Sequence, residues 1–298
     1  MPGRFAVTRF LGLMLLPFLA LWAGTAVAAP FRSDRFSVEV TGKGPDVVLI
    51  PGLSSSPRVW DATVAAVPGY RYHLIHIAGF DGAAPGANAT GPVVEPVAEE
   101  IARYIREAGL KRPAIVGHSL GGSWAMLVAA RHPESVSKVM VVDMFPFMGA
   151  MFGGPAATPD TVRPVAEQIR RGISSGTGDA RKAAIEQTIA GMVKTESARP
   201  TIVAESLASD GAVSGQAMYE LILLDLRPEL TRIKVPMTVL YAVPPSAPVT
   251  PEQIDQYFKL SYADTPQAVL KRIPDSYHFI MIDQPARFQA ELKAFLAR

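Results

Sequence analysis

The 298-residue sequence contains no cysteine. A disulfide framework, a thiol nucleophile and cysteine-ligated zinc are thereby excluded, so stability must come from the hydrophobic core. Metal-ligand spacing is also lacking: His73, His76, His118, His132 and His278 form neither HExxH nor a similar pattern, and no metal enzyme is expected. Only 19% of residues are charged, and lysine and arginine form no long run. A nucleic-acid partner would call for such a concentration of positive charge. With 49% hydrophobic residues, 24 Gly and 26 Pro, the composition is that of a globular chain, not a disordered one.

A membrane-spanning run is missing as well. Phe10 to Trp22 is apolar but only thirteen residues long, and Gly12 and Pro17 interrupt it; a spanning helix needs ~20. Arg4 and Arg9 precede this run and Ala26-Val27-Ala28 follows it, which is the form of a secretory signal peptide. Cleavage is expected after Ala28, leaving residues 29–298 as a periplasmic or secreted domain with no stable membrane anchor. Losing Arg4 and Arg9 leaves 27 basic against 27 acidic residues, a formal charge of zero. Asn88-Ala89-Thr90 fits a glycosylation sequon, a triplet common by chance and given no weight.

What the mature chain does contain is an alternation of short Val-, Ile- and Leu-rich runs with longer amphipathic stretches, the pattern of helices crossing over between parallel strands. Strands are predicted at Phe36–Val40, Asp46–Ile50, Tyr72–Ile77, Pro113–Gly117, Lys138–Asp143, Pro236–Tyr241 and Ala268–Ile273. Helices are predicted near Val59–Ala66, Val93–Ala108, Leu120–Arg131, Pro251–Tyr262 and Pro285–Ala297. From Met144 to about Leu230, 87 residues carry helical periodicity without a convincing strand, clearest at Arg181–Lys194 and Gln216–Asp225. An insertion of that size between two strands reads as a helical cap over one end of the sheet.

The strongest local signal is Gly117-His118-Ser119-Leu120-Gly121, directly after a predicted strand and directly before a predicted helix. That is the context of a nucleophile elbow, whose serine sits on a strained turn flanked by residues small enough for strand and helix to approach. A second register, Gly121-Gly122-Ser123-Trp124, is rejected because position 125 is Ala and Ser123 falls a turn inside the helix. A serine hydroxyl needs an imidazole to take its proton. His278 fits by chain order, in the loop Pro274-Asp275-Ser276-Tyr277-His278 between the last strand and the final helix. His73, His76, His118 and His132 read as structural.

Pro51-Gly52-Leu53 after an early strand, Trp60, the Gly117–Gly121 elbow, and His278-Phe279 ahead of Asp283-Gln284-Pro285 together resemble the α/β-hydrolase superfamily over essentially the whole mature region. The resemblance implies an α/β-hydrolase fold, a mostly parallel central sheet flanked by helices with a helical cap insertion. It also implies that the backbone N–H groups of Leu53 and Leu120 form an oxyanion hole. Superfamily members usually have His-Gly where this chain has Pro51-Gly52, a change of little consequence to a backbone donor.

The departure lies in the acid. Most relatives carry it after the penultimate strand, yet Ala242 to Pro251 contains neither Asp nor Glu. Asp143 is the choice made here, because it ends the strand after the elbow helix, where a minority of members place the acid, and keeps the order Ser119, Asp143, His278. The alternatives are a plain turn-capping role for Asp143, with Glu252, Asp255 or Asp275 as less well placed acids and Asp283 as a cap of the final helix.

These residues point to a cofactor-free serine hydrolase cleaving a carboxylic ester, or a related acyl bond, of a small-molecule substrate. Met144, Phe145, Phe147 and Met148, with Phe279, are candidate pocket residues for an apolar group; they could equally pack the cap onto the sheet. Thioesterase, amidase, C–C hydrolase and perhydrolase chemistry use a similar triad, and a non-catalytic binding protein on the same fold remains the reading from another class.

Overall fold

The computed structural model describes residues 31–243 and 249–297, together with Met1 and Gly3. Apart from those two residues, the signal peptide expected over residues 1–28 lies outside the described residues, as does the stretch 244–248 of the proline-rich loop.

Seven strands form one sheet: β1 (Phe36–Gly42), β2 (Asp46–Ile50), β3 (Arg71–Ile77), β4 (Ala114–His118), β5 (Lys138–Val142), β6 (Met237–Tyr241) and β7 (Ala268–Arg272), in the order β1-β3-β2-β4-β5-β6-β7. Only β1 runs antiparallel, pairing with β3 at the edge; every other pairing is parallel. The inner strands are apolar on successive residues because both faces are covered. On β2, Val48 and Ile50 enter one core with Ile115, Val139 and Val141, while Val47 and Leu49 enter the opposite core with Val116, Met140 and Val142. The first core also holds helices α2 (Val94–Glu107) and α3 (Leu120–Arg131); the second contains Trp60, just before α1 (Asp61–Ala66), tilted against Phe288 within α11 (Pro285–Leu296).

All seven predicted strands are present, β2 with the predicted bounds and the others with one or both ends shifted by one or two residues. Between β5 and β6 the chain forms α4 (Ala150–Gly153), α5 (Pro159–Ser175), α6 (Gly178–Met192), α7 (Arg199–Ala208) and α8 (Gly211–Leu223), and among the described residues the segment holds a single isolated bridge, Phe147 to Asp225. This is the expected helical insertion. Three of its helices went unread in the sequence, the four-residue α4 and the longer α5 and α7. Helix α5 carries Pro164 in its interior and begins with a capping box whose third position is Thr161, not Glu or Gln, and α7 opens with Arg199-Pro200. Helix α9 (Pro251–Ser261) has the capping box read from Thr250 and Gln253, and α10 (Ile280–Asp283) is a short turn ahead of α11.

Candidate active site

The site is assembled at the ends of β4 and β5 and in the loops after β2 and β7. Ser119 stands between β4 and α3 with φ 54° and ψ −124°, a conformation non-glycine residues rarely take. Strain of this kind costs about 1–3 kcal/mol and persists only where the surroundings enforce it. The glycines supply that enforcement. A Cβ on Gly117 would lie 2.0 Å from the carbonyl oxygen of Gly121, and one on Gly121 would lie 2.3 Å from that of Ile50. Strand and helix meet backbone to backbone, and the turn is forced onto Ser119. Ser123 lies inside α3 and is 1% exposed, unavailable as a nucleophile.

Asp143 follows β5 with φ 54°, another left-handed position. Its N–H extends the sheet pattern by donating to Leu240 at 2.7 Å, and its side chain turns toward the loops. One carboxylate oxygen, Oδ1, accepts the Ala242 N–H at 3.0 Å; the other, Oδ2, lies 2.7 Å from His278 Nδ1. Both proposed members of the pair are thus in contact, and Asp143 also ties down the acid-free loop. The alternative acids are engaged elsewhere: Asp255 accepts from Tyr241 at 2.9 Å and pairs with Arg272, and Asp275 pairs with Lys194.

His118 links the elbow to the histidine loop. Its ring lies 4.6 Å from that of His278, centroid to centroid, and its Nε2 donates to the His278 carbonyl at 3.1 Å. Burial, with His278 nearby, holds its pKa well below the ordinary value, and the hydrogen bond to that carbonyl offsets this only in part. The neutral ring leaves Nδ1 as an unpartnered acceptor beside Gly52, whose ideal Cβ would come within 3.0 Å of it and within 3.1 Å of Ser119 Cβ. The loop carrying Gly52 and Leu53 therefore lies against Ser119. Leu120, as the first residue of α3, has an N–H without an intrahelical acceptor.

The candidate pocket residues divide. Phe279 is buried against His118 and His278, while Phe145 packs edge-to-face against Tyr257 and tilted against Phe258. Met144 is buried in the sheet core, with its carbonyl accepting from Tyr262; Phe147 is buried in the cap under the Arg227 guanidinium; Met148 lies partly buried where the two meet. Met151 and Phe152 are exposed. The buried Asn88 amide of the sequon donates to Arg35 and Ala78 and accepts from Arg35.

One expectation is corrected. Asp283 does not cap the final helix: Gln284 stands at that N-cap without a side-chain bond. The Asp283 carboxylate accepts instead from Thr195 N–H at 2.8 Å, Tyr277 N–H at 2.9 Å and Lys194 N–H at 3.1 Å. It joins the cap to the residue before His278, and nothing in the sequence marked these bonds.

Residues 47–291 match the model of the alpha/beta hydrolase family. The chain belongs to this family. Among curated members, a pimeloyl-[acyl-carrier protein] methyl ester esterase from Aeromonas hydrophila is 30% identical over 213 residues, 69% of this chain and 79% of its own length. The enzyme of the same name from Vibrio vulnificus strain YJ016 is 25% identical over 280 residues, covering 87% of this chain and 97% of its own. An esterase from Exiguobacterium antarcticum superposes with a TM-score of 0.72 at 21% identity over 88% of this hydrolase-family chain and 96% of its own, and shares its fold.

Proposed function

We propose that the protein is a serine esterase acting on a small, largely apolar carboxylic ester through an acyl-enzyme. The observation that carries this reading is the 2.7 Å contact between His278 Nδ1 and Asp143 Oδ2, on the loop that His118 ties to the elbow. An anionic carboxylate at Nδ1 fixes the proton there and leaves Nε2 as the acceptor. In the proposed mechanism Nε2 takes the proton of Ser119 Oγ as the oxygen attacks the ester carbonyl. The Leu53 and Leu120 N–H groups receive the developing oxyanion, an effect worth ~3 kcal/mol per donor. The protonated His278 then passes its proton to the leaving alcohol, and water repeats the sequence to free the acid.

The curated relatives named above are methyl ester esterases, which supports an ester with a short alcohol as the first substrate class to try. We further propose that residues 1–28 are a secretory leader, from the pattern read in the sequence, and that the mature protein acts outside the cytoplasm. A panel of p-nitrophenyl esters, thioesters and amides of graded acyl length, together with methyl esters followed by proton release, tests the function beside Ser119→Ala. Ester turnover that disappears in the variant is expected. A folded wild-type protein inert to every ester and to a fluorophosphonate probe would favour a binding protein.

A further inference from the structure

The segment Leu53–Ser56 has no regular secondary structure of its own, and its anchors come from the cap. Ser54 adopts φ 55°, and its hydroxyl lies 2.8 Å from that of Ser214 on α8. Two residues on, the Ser56 N–H donates to Glu205 Oε2 on α7 at 3.1 Å. Glu205 is 3% exposed, and Ser55 and Ser56 are each 1% exposed, so this bond is sheltered from water. The surroundings do not favour a carboxylate. Burial raises the Glu205 pKa; the Ser56 N–H opposes this, Asp81 and Asp61 add to it, and Arg58, itself paired with Asp81, offsets part. A buried acid kept among other acids with a backbone amide as its named partner calls for a role, and the triad gives it none.

We propose that Glu205 is a positioning residue for the oxyanion loop: from the cap it holds Ser56, as Ser214 holds Ser54, and so keeps Leu53 N–H aimed at the reacting carbonyl beside Ser119. This rests on the esterase reading above and deepens it, since it makes the seated cap part of the electrophilic site. The strained residue between Leu53 and Ser55 supplies the physical link. A left-handed serine relaxes toward commoner backbone geometry when its tethers are cut, and rotation there turns the Leu53–Ser54 peptide and, through the Leu53 Cα, shifts the Gly52–Leu53 peptide that carries the Leu53 N–H. Misplacing one oxyanion donor by about 1 Å costs on the order of 100-fold in rate with little effect on substrate affinity.

The test uses the full mature protein as wild type, Glu205→Leu, Glu205→Gln and Ser214→Ala. Two quantities are read: kcat and KM on a p-nitrophenyl ester, and amide hydrogen exchange in the peptide covering residues 52–60. Glu205→Leu should lower kcat by about 10- to 100-fold with KM within about 3-fold, and should speed exchange in that peptide. Glu205→Gln, whose amide oxygen still accepts the Ser56 N–H, should restore both. Should Glu205→Leu fail to fold, Ser214→Ala carries the same test, with a smaller fall in kcat at constant KM. Unchanged exchange in the folded Leu variant overturns the proposal even if no ester is turned over, as does unchanged kcat. Equal losses in the Leu and Gln variants with a raised KM also overturn it, assigning Glu205 to substrate binding. Inactivity of the wild type alone refutes the esterase reading and leaves exchange to decide the role of Glu205 in the loop.

Discussion

Replacing Asp143 by Asn isolates the part of the catalytic argument that the loop after β6 leaves open. The residue occupies φ 54°, a region Asn enters as readily as Asp, whereas Ala would add backbone strain to the loss of the acid. The Asn oxygen can keep the 3.0 Å bond from the Ala242 N–H, so the loop stays attached. Its amide NH2 then faces His278 Nδ1, where the carboxylate oxygen had been 2.7 Å away. A donor at that point favours an unprotonated Nδ1 and puts the proton on Nε2, the atom that must accept it from Ser119. The base is present but in the wrong tautomer. Serine hydrolases with this defect lose about 10³- to 10⁴-fold in kcat, equivalent to ~4–5.5 kcal/mol in the barrier. Stability should change far less, by ~1.5–3 kcal/mol, the contribution of one charge-assisted hydrogen bond. Burst-resolved turnover of a p-nitrophenyl ester, with urea unfolding as the control for folding, separates the two effects. A folded Asp143→Asn variant turning over within a few-fold of wild type would refute the assignment and with it the mechanism drawn from the 2.7 Å contact.

Gly121→Ala should destabilise the protein by about 3 kcal/mol or abolish folding, because the added methyl meets the Ile50 carbonyl at 2.3 Å and neither backbone can yield. Gly191→Ala, in α6 with open space around it, should instead stabilise by ~0.4–1 kcal/mol; urea midpoints measure both. For His118, the folded pKa lies well below the 6.5 of the unfolded chain, so its contribution is present above that value and falls as the pH drops below it. His118→Phe should cost ~1–3 kcal/mol at pH 8 by stranding the His278 carbonyl, and the deficit relative to wild type should shrink by up to ~1.36 kcal/mol per unit below pH 6.5; a constant deficit in urea titrations would contradict a permanently neutral His118. If the proposed leader is cleaved as the sequence pattern requires, protein recovered from the periplasm or medium of a bacterial expression host should begin at Ala29 by N-terminal sequencing, and an intact Met1 terminus would refute the leader.

The elbow was legible because its determinants are local. Five consecutive residues contain the strain, the small neighbours and the proposed nucleophile, and the packing that enforces Ser119's φ involves glycines two positions to either side. The strands were legible for a related reason: runs such as Val47-Val48-Leu49-Ile50 serve two cores at once and must be apolar throughout. Strand β1 shows the limit of that signal, since its outer half is exposed and its end at Gly42 is set by pairing with Arg71 across the edge. Helix α5 was obscured by prolines that suggest a loop until one sees that Pro159 occupies the first turn, where its missing N–H costs nothing.

The carboxylates show why the remainder was not legible. Glu205 and Ser56 are 149 positions apart, and Asp283 reaches back 88 positions to Thr195 while also holding Tyr277 six positions away. No periodicity or spacing marks such pairs, because a carboxylate accepting backbone N–H groups asks nothing of its partners' side chains. Yet these bonds hold the two loops of the proposed site in place. The loops bearing Leu53 and His278 are each attached on one side to the sheet and on the other to the cap, the first through Glu205 and Ser214, the second through Asp283 and the Phe279 N–H to the Met192 carbonyl at 3.2 Å. A cap that served only to shelter substrate could be exchanged for another of similar size with a change in specificity alone. One that supplies acceptors to both loops, Glu205 to the Ser56 N–H and the Met192 carbonyl to the Phe279 N–H, cannot, because its removal would leave those two amides without these partners and free the geometry on which the proposed transition-state stabilisation depends.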